Sequence, residues 1–150
     1  MRAVIQRVSE ASVEINGNRK ASIKKGLLVL LGIVEDDSGD DIEWLAGKIV
    51  RMRIFSDQNG LMNLSVLDTE GDILVVSQFT LHASTKKGNR PSFIKAARPE
   101  TAVPIYEKFL ERIADELGKM VQSGEFGAFM EVKLVNDGPV TIIIDSKIRE

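Results

Sequence analysis

One segment restricts the possible folds more than any other: the nearly uninterrupted apolar run from Leu27 to Val34. Polar residues do not alternate with the apolar ones, so neither side of this segment is suited to face water. The pattern is typical of a strand that is covered on both faces of a sheet. The run is also far shorter than the roughly 18 residues that a membrane-spanning helix needs. A strand buried on both sides is therefore the first expectation, and a membrane partner is not expected.

Composition then limits the chemistry. The chain has 150 residues, with no cysteine and a single histidine, His82, and this length suits one domain over residues 1–150. The lack of cysteine excludes a disulfide framework, a thiolate zinc site and a cysteine nucleophile, and one histidine excludes a cluster of histidine ligands. We expect no metal and no cofactor, so the chemistry must come from hydroxyls, carboxylates, amines, backbone groups or the substrate.

The charge balance carries no general signature of nucleic-acid binding. The chain has 20 basic and 22 acidic residues, a net charge of -2, although a local basic patch would still bind anions. The first residues, Met1–Arg7, contain no signal-peptide core. A soluble cytoplasmic protein is the default expectation.

Turn and helix signals divide the chain into strands and two helices. Asn16-Gly17 predicts a hairpin, because both residues tolerate positive φ. Asp40 and Glu43 have the spacing of a capping box and predict a helix that ends near Ile54.

The second half of the chain continues this pattern. A second helix is expected to begin with Thr101 as N-cap, to carry Pro104 in its first turn and to end near Gly118. Two strands, Met130 to Val135 and Val140 to Asp145, follow it and are expected to be joined by a turn. Strands outnumber helices, which predicts an α+β domain with two main helices packed on one side of a mainly antiparallel sheet.

The first candidate site follows an apolar strand predicted from Asp72. Its last residues are polar around one aromatic ring, and we call them the strand-end motif: Ser77, Gln78, Phe79 and Thr80. Such a polar edge on a rigid base suits an active site, and the alternative is a strand end whose polar groups merely satisfy a turn. A hydroxyl nucleophile here would need His82 as its base, yet no glycine-flanked nucleophile turn is present.

Two further candidates, and one arginine in an unusual position, lie elsewhere in the chain. Gly138-Pro139 would serve either as an ordinary turn or as a dipeptide with bare carbonyl groups that measures the shape of a small ligand. Arg7 lies mid-strand among apolar residues, and a buried arginine needs a partner. A basic stretch, Lys86, Lys87, Arg90, Lys95 and Arg98, would be either a solvated loop or a phosphate-binding segment beside the strand-end motif.

Four segments together resemble the D-aminoacyl-tRNA deacylase (D-tyrosyl-tRNA deacylase) family. They are Met1–Val8, Ser77–Leu81, Gly88–Phe93 and Asn136–Thr141, and they occur in order over essentially the whole chain. The resemblance implies a hydrolase that cleaves the ester between a D-amino acid, or glycine, and the 3′-terminal adenosine of tRNA. It also implies a three-layer α/β/β homodimer whose partner is aminoacylated tRNA and not DNA.

The resemblance also implies roles for individual residues. The Gly138-Pro139 bond would be cis and would enter the partner subunit's active site, where it leaves no room for an L side chain. Arg7 would support that dipeptide, and the strand-end motif would line the ester, which the RNA 2′-hydroxyl helps to activate. Lys86, Lys87 and Arg90 are assigned to tRNA binding on their charge, and His82 matches no catalytic position of the family.

Two alternatives from other classes stay open at this point. One is a noncatalytic RNA-binding module that uses the Lys86–Arg98 stretch. The other is an esterase for small esters with Ser77 or Thr80 as nucleophile. The first would show no turnover, and the second would ignore tRNA.

Overall fold

The computed structural model describes the whole chain, residues 1–150. It has the α+β architecture that the sequence predicts, with eight strands and two α-helices along one chain. The strands are β1 (Arg2–Ile15), β2 (Asn18–Ile23), β3 (Gly26–Gly32), β4 (Phe55–Ser56), β5 (Met62–Leu64), β6 (Asp72–Ser77), β7 (Gln122–Ser123) and β8 (Glu131–Asp145). The helices are α1 (Gly39–Arg51) and α2 (Pro99–Leu117).

The main sheet has six strands in the order β2-β1-β3-β6-β7, and β8 pairs with the other side of β1. Strand β1 is antiparallel to β2, β3 and β8, whereas β3–β6 and β6–β7 are parallel pairs. The sheet is therefore antiparallel on the β1 side, as predicted, and parallel towards β7. Strands β4 and β5 form a separate small hairpin.

The central strands are covered on both faces, as the apolar run predicts. Leu27, Val29 and Leu31 of β3 belong to a large core that also contains the buried faces of α1 and α2. Leu28, between them, belongs to a second core built with β1, β2 and β6. The alternation follows from strand geometry, because successive side chains point to opposite faces.

The predicted hairpin at Asn16-Gly17 is confirmed. Both residues have positive φ, 51° and 76°, as a two-residue hairpin loop of the primed type requires. It joins β1 to β2 in an antiparallel ladder in which Ile15 faces Asn18.

Helix α1 exists as predicted but its boundaries were wrong. It ends at Arg51, and Ser38 and Asp41 form the capping box instead of Asp40 and Glu43. Asp41 accepts hydrogen bonds from the Ser38 amide at 2.9 Å and from Ser146 Oγ at 2.7 Å. Since Ser146 lies at the far end of the chain, a contact invisible to local sequence decides which acid forms the cap.

The predicted start of α2 was also wrong. Arg98, not Thr101, is the N-cap, Pro99 occupies the first turn, and Pro104 lies inside the helix. Proline at a first turn is favourable because that position has no amide partner to lose. Pro104 is exposed, so it removes one interior hydrogen bond on the solvent side of the helix. The end at Leu117, capped by left-handed Gly118, agrees with the prediction.

The tail is one strand and not two strands joined by a turn. Both halves of β8 pair with β1, and Asn136 faces Val8 while Thr141 faces Gln6. Asp137 to Val140 therefore bulge out of the strand opposite Arg7. The turn signal of Asp137-Gly138-Pro139 was real, but the chain resumes the same ladder beyond it. No helix of the protein combines the length and the apolar character that crossing a membrane requires.

Candidate active site

The strand-end motif lies where β6 leaves the sheet. Ser77 is the last β6 residue paired with β3, opposite Leu31, and the Gln78 amide donates to the Leu31 carbonyl at 2.7 Å. The chain then enters a short 3-10 turn, Phe79–His82. The Gln78 side chain donates to Thr80 Oγ1 at 2.5 Å. The motif is thus held on one side by a buried strand and ends in a compact turn.

A pocket of about 270 Å³ opens beside this motif. Ser77, Gln78 and Phe79 line it, whereas Thr80 lies outside its wall. Most of the other lining residues are apolar: Leu31, Ile33, Val76, Ala97, Ala102, Phe126, Ala128, Phe129, Met130 and Val132. A mostly apolar cavity with a few polar groups at one end is the usual form of a small-molecule site.

Sequence reasoning missed the opposite wall of this pocket. The segment from Phe126 to Met130, between β7 and β8, forms that wall, and the Phe129 side chain is 87% exposed. Residues such as Gly127 and Ala128 carry no chemical signature, so only the fold reveals them.

The basic stretch lies directly against the motif. Its loop is closed by two backbone hydrogen bonds between Ser84 and Ser92, at 2.8 and 2.9 Å. Beyond the loop, the Phe93 ring packs edge-on against Phe79, with centroids 5.1 Å apart. The side chains predicted to bind RNA are exposed and form no ion pair within the chain: Lys86, Lys87 and Arg90. Their charges are therefore available to an outside anion.

Gly138 and Pro139 lie at the surface of the β8 bulge, and the bond between them is cis, as the resemblance implies. Arg7 lies behind the bulge and is only 8% exposed. Its Nε donates to the Asp137 carbonyl at 2.9 Å, and its Nη1 donates to the Ile54 carbonyl at 2.6 Å. The buried arginine thus finds the partners that its position requires, and one of them is the residue before Gly138.

Gly138 is a position where a side chain would not fit. Its φ is +136°, and a Cβ atom built there would lie 2.9 Å from Val140 Cγ2 and 3.1 Å from Arg7 Nη2. Glycine is therefore needed both for the backbone conformation and for the close packing of Arg7.

Within one chain, the bulge and the strand-end motif lie far apart. Arg7 of β1 pairs with Leu27 of β3, and Leu27 pairs with Ile73 of β6. The bulge opposite Arg7 therefore lies level with Ile73, which precedes Ser77 by four residues along β6. At about 3.3 Å per residue and about 4.8 Å per strand, the two are roughly 20 Å apart. A single subunit therefore does not combine them in one site.

His82 does not serve either hydroxyl of the motif. Its ring is buried, its Nε2 has no hydrogen-bond partner, and it makes no hydrogen bond to Ser77 or Thr80. A hydroxyl nucleophile needs a base within hydrogen-bond reach. The arrangement therefore gives no support to a serine or threonine nucleophile.

Comparison with known proteins identifies the family of the chain. Residues 4–145 match the family model described as D-Tyr-tRNA(Tyr) deacylase. Proteins named D-aminoacyl-tRNA deacylase from Flavobacterium johnsoniae and Bacteroides fragilis are each 63% identical over 150 residues, which is 100% of this chain and of each relative. The protein of that name from Opitutus terrae is 61% identical over the same full length.

Solved structures give the same fold. A protein named c-Myc DNA unwinding element binding protein has a TM-score of 0.92 and 41% identity, over 97% of this chain and 98% of its own. A probable eukaryotic D-amino acid tRNA deacylase has a TM-score of 0.81 at 19% identity, over 95% and 97%, and supports the fold alone. The full-length match at this level of identity shows that the chain belongs to the D-Tyr-tRNA(Tyr) deacylase family and is a hydrolase of the aminoacyl-tRNA ester bond.

Proposed function

We propose that this protein proofreads chirality: it releases D-amino acids, and glycine, from the 3′-terminal adenosine of tRNA and rejects L-aminoacyl-tRNA. The observation that carries the proposal is the exposed Gly138-Pro139 dipeptide, which is braced from behind by Arg7 and does not line the pocket beside its own chain's strand-end motif. A turn would not need a buried arginine behind it. A rigid surface that excludes one of two mirror-image substrates would need such support.

The dipeptide can act on the pocket only if it belongs to a second subunit. We therefore propose a two-fold homodimer in which each Gly138-Pro139 enters the partner subunit's pocket beside the strand-end motif. Exclusion of an L side chain is a steric effect, and it discriminates by a clash instead of by an added attraction.

The outer side of β8 supports self-association. Strand β8 pairs with no strand other than β1 and so leaves its outer edge without a neighbouring strand on both sides of the bulge. Ile143, which faces Val4 across the ladder, is 69% exposed. Long exposed edges and apolar sheet faces are usually covered. With the helices on one face of the sheet and a second core on the other, the layers also suit the proposed α/β/β dimer.

The proposed reaction needs no side-chain nucleophile. Water adds to the ester carbonyl carbon, the bond to the 3′-oxygen breaks, and the free amino acid and tRNA with a free 3′-hydroxyl are released. The neighbouring 2′-hydroxyl of the substrate assists proton transfer, and backbone amides near Phe79 and Thr80 stabilise the developing oxyanion. The basic stretch holds phosphates of the acceptor end, with Lys86, Lys87 and Arg90 as its contacts.

The test is incubation of the protein with matched D- and L-tyrosyl-tRNA, following release of tyrosine. We expect release from the D ester alone, and poor release from D-tyrosyl-tRNA that ends in 2′-deoxyadenosine. Equal hydrolysis of both enantiomers would refute chirality proofreading. Binding of tRNA without turnover would favour the noncatalytic RNA-binding module, and cleavage of small esters without tRNA would favour the simple esterase.

A further inference from the structure

His82 is a buried titratable group beside the strand-end motif that the proposed reaction does not use. It is the last residue of the 3-10 turn that begins at Phe79, and its side chain is more than nine-tenths buried. Its Nε2 has no hydrogen-bond partner. A buried polar atom without a partner costs about 1–3 kcal/mol, so its presence at this position needs an explanation.

The ring packs directly on the end of β3. A Cβ atom built on Gly32 would lie 2.9 Å from His82 Cδ2, 3.0 Å from its Nε2 and 3.0 Å from Leu81 Cβ. Gly32 thus provides the space that the turn occupies. Gly32 directly follows Leu31, which pairs with Ser77 and whose carbonyl accepts a hydrogen bond from the Gln78 amide. The His82 ring therefore presses on β3 at the point where the motif leaves the sheet.

A second contact holds the same turn. Arg2 Nη1 donates to the Leu81 carbonyl at 2.8 Å, while Arg2 Nη2 pairs with Asp145 at 2.9 Å. The turn is therefore fixed at two consecutive residues, by a cation on the Leu81 carbonyl and by the His82 ring on Gly32. Phe79 and Thr80, at the other end of this one-turn segment, are joined to the sheet through Gln78 and these two contacts, and Phe79 also packs against Phe93.

From this geometry we infer that His82 is a positioning residue, which as a neutral ring wedged on Gly32 holds Phe79 and Thr80 in the arrangement that deacylation requires. The inference rests on the proposed function. It assigns His82 no contact with substrate. It predicts that the ring's protonation state, as well as its volume, affects catalysis.

The charges around the ring oppose its protonation. Arg2 of β1, the Met1 ammonium and Asp37 face it, and Asp37 is already paired with the Met1 ammonium. Burial is the largest influence and lowers the pKa of His82; the Gly32 backbone raises it by less, Arg2 and the Met1 ammonium lower it further, and Asp37 raises it by the smallest amount. Because the folded pKa lies below the unfolded value near 6.5, the neutral ring supports the fold above that pH. That support is lost as the pH falls through the folded pKa.

The experiment compares wild type with His82→Leu and His82→Ala in steady-state D-tyrosyl-tRNA deacylation, from about pH 7.5 to about pH 5. Leucine fills the space without a titrating atom, and no hydrogen bond from Nε2 is lost. We expect His82→Leu to match wild-type kcat near neutrality and to lack the acid decline of wild type. We expect His82→Ala to lose about tenfold in kcat with little change in KM.

A double-mutant cycle with Gly32→Ala adds a packing readout. Gly32→Ala should lower kcat in wild type and lower it less in the His82→Ala background, because the ring is then gone and only the contact of the new methyl group with Leu81 Cβ remains. Gly39→Ala is the matched control, since a Cβ atom there meets nothing within 4 Å. All variants are assayed well below their melting temperatures.

The outcomes are separable. If wild type does not deacylate D-tyrosyl-tRNA, the proposed function fails, whatever His82 does. If wild type is active and His82→Leu keeps the same acid decline, the inference is overturned. If His82→Ala is folded with unchanged kcat, it is overturned as well; if His82→Ala does not fold, the pH profile of His82→Leu alone decides.

Discussion

The strand-end motif and the Gly138-Pro139 bulge are both interruptions of the main sheet, yet they are built in opposite ways. The motif continues a buried strand and borders a pocket made by its own chain. The bulge leaves the sheet opposite Arg7, lies at the surface and does not line that pocket. A rigid, braced element without a cavity is best suited to act on another molecule's cavity, and this difference favours a site shared between two subunits.

The bulge is where the largest effect is expected. Gly138→Val would place a side chain against Arg7 and Val140 in a backbone conformation that favours glycine. We expect at least about a hundredfold loss of kcat/KM for D-tyrosyl-tRNA, since a displacement of about 1 Å at a site costs this much. Gly60→Val is the control: its φ is also positive, but a Cβ atom there meets nothing within 4 Å. Equal losses in both variants would contradict a specific role of the bulge.

The shared site can be tested by mixing two inactive subunits. Gly138→Val damages the dipeptide and leaves the pocket, whereas Ala128→Trp fills the pocket and leaves the dipeptide. Mixed dimers would contain one site with an intact pocket and an intact partner dipeptide, so co-expression should restore activity. No recovery in a demonstrated mixed dimer would show that each site uses its own chain's dipeptide.

Arg7 connects the bulge to the core and should have the next largest effect. Arg7→Met leaves the carbonyl groups of Asp137 and Ile54 without their donor. We expect a loss of about 2–4 kcal/mol in the free energy of unfolding, measured by urea denaturation, and about a tenfold loss of activity under conditions where the variant is folded. Arg53→Met, at an exposed arginine, should change neither quantity appreciably.

The basic stretch should affect binding more than chemistry. Replacing all three of Lys86, Lys87 and Arg90 with glutamine should raise KM several-fold and leave kcat nearly unchanged. The slope of log KM against log salt concentration should fall by about two, because fewer phosphate contacts are then made. The matched control removes an equal charge from exposed residues of β2 and of the turn that follows it: Arg19, Lys20 and Lys24. A salt slope that is the same in both triple variants would assign Lys86–Arg90 to an ordinary solvated loop.

The smallest effect is expected at Thr80, although it belongs to the motif. Its hydroxyl accepts one hydrogen bond from Gln78 and lies outside the pocket wall. Thr80→Ala should lower kcat only a few-fold, because one neutral hydrogen bond contributes about 1 kcal/mol. A loss of about a thousandfold, with the fold intact and the 2′-deoxy substrate cleaved normally, would identify Thr80 as a nucleophile instead.

Much of the chain could be interpreted locally. The apolar run at Leu27–Val34 predicted a strand covered on both faces, and Asn16-Gly17 predicted the hairpin, because periodicity and turn chemistry act over a few residues. The order of the short motifs pointed to the family. The candidate residues of the motif and the bulge followed from their residue types.

Tertiary structure decided the rest. Ser38 and Asp41 cap α1 because Asp41 also accepts hydrogen bonds from Ser146 and Lys147, which local spacing cannot reveal. The β8 tail continues through its turn signal because β1 offers a ladder on both sides of the bulge.

The pocket wall at Phe126–Met130 and the wedge of His82 on Gly32 depend on packing between segments distant in sequence. Residue type and local spacing determine which groups are present, whereas long-range pairing and burial decide which of them meet.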